Sequence, residues 1–363
     1  MLKFNAKNER IKRRYLIRLT KAEGKHPATA AQAADAIALF EKSTGWRDFS
    51  TLHEEQALKF RRDLEALRNA KTGRTLSRAT IRSRLHAVKL FFLWLSDQPG
   101  YRSCIRRSDF ELLSPASSEC RSSASRKEPR FPSFELVRRV ILSAPGTTDI
   151  EKRDRALIAF ALASGMRDMA LATLPIGKVN LTRREIDQDG QIVKTKQSKA
   201  MATFLFPVGE DVFEIIAGWV AYLKAELLFG DDDPLFPATD VRRGDAGGFE
   251  AVGLKREFWT NAGAIRRIFK ERFEATGLPY YHPHSLRHTL MQRAYHLNLG
   301  GEALKAWSQN LGHEKLDTSV NSYGRVSRQR TGEILANLAN QDSPAAFELP
   351  PPEVVAWMKK LTT

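Results

Sequence analysis

The chain has 363 residues, 42% of them hydrophobic, and a formal net charge of +16. This length indicates two domains, and the charge favours a polyanion, above all nucleic acid, because phosphate binding releases counterions. Two cysteines without a CxxC pair, Cys104 and Cys120, exclude a disulfide framework and a thiolate metal site. Neither a signal peptide nor a long apolar run is visible, so we expect a cytoplasmic protein without membrane contact.

The first 113 residues carry the patterns of several helices. Their apolar side chains recur three or four positions apart, which is the spacing of one helix face. The last of these predicted helices begins after Ser77 as N-cap, and its basic side chains avoid the apolar face. These candidates for contacts with a DNA backbone are Arg78, Arg82, Arg84 and Lys89. A solvated basic face is the alternative interpretation. We expect residues 1–113 to form a helical DNA-binding domain.

Composition marks three further boundaries. Ser, Pro and Arg dominate residues 114–132 without a period, which predicts an interdomain linker. Helical and strand patterns resume after it, so residues 133–335 are predicted to form the second domain. A Pro-rich spacer and a last apolar piece occupy residues 336–363. This tail either contacts a neighbouring subunit or packs on its own domain.

A small antiparallel sheet is predicted inside the second domain. The runs REID, QIVKTK and MATFLFPV have strand character, and the Asp189–Gly190 turn between the first two is a hairpin signal. We therefore expect about three strands, with Lys196 and Lys199 at or near the second hairpin. The predicted fold class is mainly α with a small antiparallel β-sheet: an N-terminal helical bundle followed by an α+β domain.

A strongly apolar helix is predicted to break at Gly165, two residues before Arg167. A guanidinium at the rim of an apolar helix pair needs an anionic partner, because an unpaired buried charge is costly. Asp168 is the structural candidate for this partner. A bound phosphate is the functional candidate.

The stretch from His282 to Tyr323 gathers imidazoles, an arginine, a Leu-Gly-His turn and a tyrosine. His284 and His288 have the i, i+4 spacing of zinc helices, but Arg287 lies between them and would repel a cation, so no metal is predicted. Histidines with a purely structural role are a second interpretation. Phosphoryl transfer by a tyrosine nucleophile is the third.

This third interpretation has specific chemical requirements. A phenol has a pKa near 10, so it attacks at neutral pH only if the phosphate is activated and a group accepts its proton. Arginines stabilise the charge that builds up on the phosphate oxygens, and a lysine or histidine protonates the leaving oxygen. The chain contains two arginines, several imidazoles, lysines and a tyrosine in suitable places, with no need for a metal or cofactor.

In these motifs the second domain resembles the catalytic domain of the tyrosine recombinases, the phage integrase family. The matching pieces are GMR, the lysine-containing KTKQSK, HSLRHT, LGH and the tyrosine in SYG, in the family's order over roughly residues 130–330. The basic helical N-terminal region is similar in kind to the core-binding domain of that family. Together these pieces are highly specific, although each alone is weak.

The resemblance assigns a role to each matching residue. Arg167 and Arg287 would clamp the scissile phosphate, and Tyr323 would be the nucleophile that forms a 3′-phosphotyrosyl link. His284 would handle the proton, and His313 would hydrogen-bond the phosphate. The general acid would be the hairpin lysine Lys196, with Lys194 and Lys199 as open alternatives; Lys199 is also a candidate DNA contact. His288 is interpreted as a structural residue of the helix.

Two features depart from the family pattern. The family often places a glutamate three residues after the first arginine, and here that position is Ala170. Asp168 is the alternative orienting residue. The span from His313 to Tyr323 is also slightly longer than the commonest form, which indicates a subfamily.

The resemblance implies a site-specific recombinase that cuts and rejoins double-stranded DNA at specific sites without ATP, metal or cofactor. It also implies a homotetramer on DNA and a cytoplasmic, nucleoid-associated location. Two alternatives stay open: a type IB-like topoisomerase, and a catalytically silent DNA-binding protein of the same fold.

Overall fold

A computed structural model describes residues 4–70, 72–114, 130–195, 200–244 and 247–312. These residues are mostly helical with small antiparallel sheets, which confirms the predicted fold class. They fall into two compact units that divide between residues 129 and 130. The predictions for most of the linker, for the C-terminal tail and for four candidate site residues lie outside the described ranges; these residues are Lys196, Lys199, His313 and Tyr323.

The first unit is a helical bundle with an aromatic core. Its helices are α1 (Ala6–Ile17), α2 (Pro27–Thr44), α3 (Glu54–Ala66), α4 (Arg78–Ser96) and α5 (Arg107–Glu111). Ser77 caps α4 through the backbone N–H of Thr80, as predicted. On α4, Leu93 is 37% exposed, while Phe92 is fully buried and packs edge-to-face on Phe40.

The second unit packs helices around one long buried helix, α7. Its elements are α6 (Phe134–Ser143), α7 (Asp149–Ser164), α8 (Asp168–Ala172), β1 (Val179–Asn180), β2 (Glu185–Gln188), β3 (Met201–Phe204), α9 (Glu210–Ala225), β4 (Ala238–Arg243), β5 (Phe249–Lys255), α10 (Gly263–Ala275), α11 (Leu286–His296) and α12 (Gly301–Asn310). A 3-10 turn, Pro283–Ser285, leads into α11. Helix α7 begins with a capping box formed by Thr148 and Glu151 and ends at Gly165. Nearly all of its later residues are buried, so α7 forms the centre of the core.

The sheet has three strands in the order β1-β2-β3, but one strand was assigned wrongly. Residues 191–195 form no strand; β1 occupies the edge instead. The Asp189 carbonyl accepts from the backbone N–H groups of Ile192 and Val193, so the chain coils after Gly190 rather than reversing as a hairpin. The buried side chain of Val193 then anchors this segment in the core.

The β4–β5 hairpin was not predicted from the sequence. Its strands pair from Ala238 with Lys255 to Arg243 with Phe249, with an irregularity at Asp240. The distal half of the hairpin is exposed on both faces. This exposure explains the missing signal, because alternation of apolar and polar residues needs one buried face.

Candidate active site

A left-handed glycine places Arg167 at the edge of the core. Gly165 ends α7 with φ +59°, and Arg167 then takes an extended conformation as the N-cap of α8. A Cβ at position 165 would lie 2.5 Å from Leu311 Cδ2 and 3.0 Å from Leu290 Cδ1, so the turn is also closely packed. The sharp turn therefore presents the half-buried Arg167 beside α11 and the end of α12.

Asp168 does not pair with Arg167, contrary to the structural interpretation of this sequence. Its Oδ2 accepts from Nε and Nη2 of Arg266 on α10, at 2.9 and 2.7 Å. Its Oδ1 accepts from the backbone N–H of Met169. Among the described residues, no carboxylate forms an ion pair with Arg167. The functional alternative, an anionic ligand, gains support.

Arg287 is the link between two turns of the site. Its guanidinium is 2% exposed and donates through Nη1 to the Gly165 carbonyl at 2.6 Å and through Nη2 to the Leu311 carbonyl. The first carbonyl belongs to the turn that carries Arg167. The second belongs to the end of α12, directly before Gly312 and the LGH histidine. Arg287 thus joins two of the sequence motifs physically.

His284 lies at the rim of this cluster, in the 3-10 turn that precedes α11. Its backbone N–H donates to Nδ1 of His282, the cap of the turn, at 3.2 Å. Desolvation and then the positive charge of Arg287 lower the pKa of His284 to about 4, with smaller contributions from His288, Arg167 and His282. The residue also keeps an exposed edge. Its ring is therefore neutral at pH 7. A bound anion would offset the positive charges of the neighbouring arginines.

His288 belongs to the packing of α11. Its ring stacks on Phe131 with centroids 5.5 Å apart and planes 15° from parallel. Desolvation and Arg287 lower its pKa, so it is also neutral at pH 7. Both observations agree with the structural role predicted for this residue.

The structure brings Arg167, His284 and Arg287 together from two segments that are far apart in sequence, the turn after α7 and the 3-10 turn that continues into α11. Of the lysine candidates it describes only Lys194, whose side chain is exposed and whose backbone N–H donates to Thr173 Oγ1 at 2.9 Å, just after α8. This contact holds the start of the lysine-bearing segment beside α8. Sequence reasoning missed Arg266, because it lies 98 residues from its partner Asp168 and carries no local motif.

The four candidate DNA contacts on α4 do not share one face. Arg78 and Arg82 are exposed and one turn apart, whereas Arg84 is half-buried and lines a cavity of about 830 Å³ with Tyr15 and Trp94. Lys89 is half-buried and its Nζ donates to Ser114 Oγ at 2.6 Å. The exposed first turns of α4 are thus the more accessible part of this basic surface.

Two arginines and a neutral imidazole at one edge of the core, with the neighbouring carboxylate bound to another arginine, are the arrangement expected of a site that binds a phosphate. Comparisons with known proteins agree. The sequence model of the phage integrase family matches residues 136–330. Tyrosine recombinase XerC of Corynebacterium glutamicum is 27% identical over 255 residues, 70% of either chain. XerC of Pelotomaculum thermopropionicum is 27% identical over 275 residues, 75% of this chain and 77% of its own.

Solved structures show the same fold. The Tn1549 transposon integrase, in complex with transposon right end DNA, gives a TM-score of 0.59 at 16% identity over 91% of this chain and 99% of its own. A lambda integrase dimer bound to a COC′ core site gives 0.52 at 14% identity over 87% and 95%. The chain belongs to the phage integrase family, whose members are site-specific tyrosine recombinases, and the predicted class of enzyme is confirmed. None of its described helices is both long and apolar enough to cross a membrane.

Proposed function

We propose that this chain cleaves and rejoins double-stranded DNA at specific sites through a covalent 3′-phosphotyrosyl intermediate formed by Tyr323. The observation that carries the proposal is the position of Arg287, which hydrogen-bonds both the turn of Arg167 and the turn that leads into the LGH motif. Arginine forks suit a phosphodiester because they donate in a planar, bidentate geometry. A site with this arrangement holds the scissile phosphate between two parts of the catalytic domain.

In the proposed reaction each residue has one role. Arg167 and Arg287 stabilise the charge that grows on the phosphate oxygens as the Tyr323 oxygen attacks phosphorus. His284 is neutral at pH 7, so it is able to accept the phenol proton. His313 hydrogen-bonds the phosphate, and Lys196 protonates the departing 5′ oxygen; Lys194 and Lys199 remain alternatives for that step.

The same groups run the reaction backwards. The phosphotyrosyl bond replaces the broken phosphodiester bond, so a 5′-hydroxyl is able to reseal the strand without ATP. The side chains named above stabilise the charge on the phosphate and transfer the protons, and neither task requires a metal.

Duplex DNA with specific recombination sites is the proposed partner. Residues 1–113 are proposed as a second DNA-binding domain beside the catalytic domain. Arg78 and Arg82 lie on the exposed start of α4, where guanidinium groups would meet backbone phosphates. Residues 114–132 are proposed as the linker, 133–335 as the catalytic domain and 336–363 as the contact that builds a tetramer on two DNA sites. Because DNA is the proposed partner, we also propose that the protein is cytoplasmic and associated with the nucleoid.

Trapping the intermediate tests the proposal. On a nicked suicide substrate, which loses the strand needed for resealing, the wild-type chain should accumulate a 3′-linked covalent complex. Tyr323→Phe should bind the same DNA and form none. Tyr295→Phe, a change of a core-packed tyrosine on α11, is the matched control and should still form the complex.

Two outcomes separate the alternatives. A covalent complex from Tyr323→Phe would refute the assignment of the nucleophile, and no complex from the wild type would favour a silent DNA-binding protein. A type IB-like topoisomerase would relax supercoiled DNA without joining strands of two labelled sites. The recombinase should join them.

A further inference from the structure

Arg266 of α10 binds the carboxylate that directly follows Arg167 in the sequence. Arg167 is followed directly by Asp168, whose side chain is 16% exposed. A carboxylate this close to a guanidinium would compete with a phosphate for it. In the structure the carboxylate is turned to Arg266, which reaches it with two nitrogens.

A second Arg-Asp dipeptide in the same unit forms the ion pair that Arg167 and Asp168 do not form. In Arg153–Asp154, on α7, the guanidinium of Arg153 donates to its own neighbour through Nε at 3.0 Å and Nη2 at 2.7 Å. Adjacent Arg and Asp side chains are therefore able to pair in this fold. Arg167 and Asp168 do not.

The surroundings of Asp168 add a reason for its orientation. Nε2 of His282 lies 4.0 Å from the oxygen that accepts from Arg266. The Nδ1 of this ring accepts from the His284 N–H, so a neutral His282 carries its proton on Nε2, the side that faces Asp168. Asp168 thus faces donors on α10 and on the His284 turn.

We propose that Arg266 is a positioning residue that holds Asp168 away from Arg167 and so keeps the Arg167 guanidinium for the scissile phosphate. This inference rests on the proposed function of Arg167. It adds Arg266 of α10 to the site, where it acts on Arg167 through the carboxylate of Asp168. Arg266 itself need not touch DNA.

A suppressor experiment tests the inference. In Arg266→Gln the freed Asp168 should pair with Arg167, and cleavage of the suicide substrate should slow about tenfold or more, because charged hydrogen bonds compete strongly. Adding Asp168→Asn removes the competing charge, so the double variant should recover to within about threefold of the wild type. Arg267→Gln, the same change at the next residue of α10, is the control, since Arg267 forms an ion pair with Glu271 on its own helix.

A purely structural role would give the opposite pattern. If the Arg266–Asp168 pair only stabilises the fold, the double variant should be as slow as Arg266→Gln, and that result overturns the inference. An Arg266→Gln variant as fast as the wild type would overturn it too.

An NMR measurement that does not depend on catalysis distinguishes the proposed role of Arg266 from the proposed function of the chain. The ¹⁵Nε–H signal of Arg167 in NMR spectra should shift in Arg266→Gln as the ion pair forms and return in the double variant. If the wild type forms no covalent complex, the proposed function fails while this signal still decides the inference. An unchanged Arg167 signal in Arg266→Gln would overturn the inference alone.

Discussion

The second unit contains two Arg-Asp dipeptides, and their side chains are arranged differently: one arginine pairs with its neighbouring aspartate and the other does not. Arg153 is 2% exposed and donates to Asp154, to the Pro237 carbonyl and to Thr239 Oγ1. Asp154 also accepts from Arg272 of α10 at 3.2 Å. The Arg153 guanidinium thus donates to a carboxylate, a backbone carbonyl and a hydroxyl of its own unit, which is the pattern of a structural arginine.

The region around Arg167 is organised differently. Helix α10 again supplies an arginine to the aspartate, here Arg266 to Asp168, but the preceding arginine is left beside Arg287 and His284. The charges of Arg167 and Arg287 both act on His284 there, while the Asp168 carboxylate faces Arg266. A buried or half-buried arginine is therefore not evidence of function by itself. The placement of the neighbouring carboxylate distinguishes the two regions.

The largest expected effect comes from breaking the structural region. Asp154→Ala should lower the free energy of unfolding by about 3–5 kcal/mol, because it leaves the buried Arg153 charge without its carboxylate. Denaturant unfolding measures the change. Glu210→Ala, which removes an exposed pair with Arg184, should lower that free energy far less, because solvent screens an exposed ion pair. Equal losses in both variants would contradict the distinction between the regions.

The turn that supports the catalytic region is the next point to perturb. Gly165→Ala should destabilise the protein by about 1–3 kcal/mol beyond the backbone penalty, because its Cβ would press on Leu311 and Leu290. Gly45→Ala is a matched control, since Gly45 also ends a helix at positive φ but a Cβ there would meet no atom within 4 Å. Cleavage should fall only in Gly165→Ala, as Leu311 carries an acceptor of Arg287. Similar unfolding free energies for both variants would show that packing at Gly165 is loose.

The charge of the catalytic region predicts a pH effect on His284. Its folded-state pKa of about 4 lies below the ordinary value of 6.5, so the unfolded chain binds more protons between these values. The contribution of His284 to stability is complete above pH 6.5 and is lost as the pH falls towards 4. A bound phosphate offsets Arg287 and Arg167, so the pKa should rise in the DNA complex. NMR titration with and without DNA tests this, and an unchanged pKa would argue against phosphate binding there.

The smallest effect is expected on the DNA-binding surface of the first unit. Arg78→Ala should reduce the slope of log affinity against log salt by about 1, because one phosphate contact is lost. Lys89→Ala should change the slope less, since Lys89 is half-buried and donates to Ser114. Fluorescence anisotropy at several salt concentrations measures both slopes. A larger change for Lys89→Ala would place the DNA nearer the middle of α4 than its start.

The sequence predicted the parts of the site better than their environment. Gly165, Arg167, His284 and Arg287 were all identifiable, because they stand in short motifs with a fixed chemical logic. The role of Arg266 was not, since its partner is distant in sequence and an exposed helical arginine has many equivalents. The assignment of residues 191–195 to a strand failed for a related reason: the Asp189–Gly190 turn matches a hairpin locally, but burial of Val193 overrides it.

The central claim is that Arg167 acts on the charge of the scissile phosphate. The most direct measurement compares Arg167→Ala with the wild type on two suicide substrates, one normal and one with an uncharged methylphosphonate at the scissile position. On the normal substrate the variant should be about 10²- to 10³-fold slower, with unfolding unchanged within about 0.5 kcal/mol. On the methylphosphonate the loss should shrink to less than about tenfold, because there is less charge to stabilise. An equally large loss on both substrates would contradict the account.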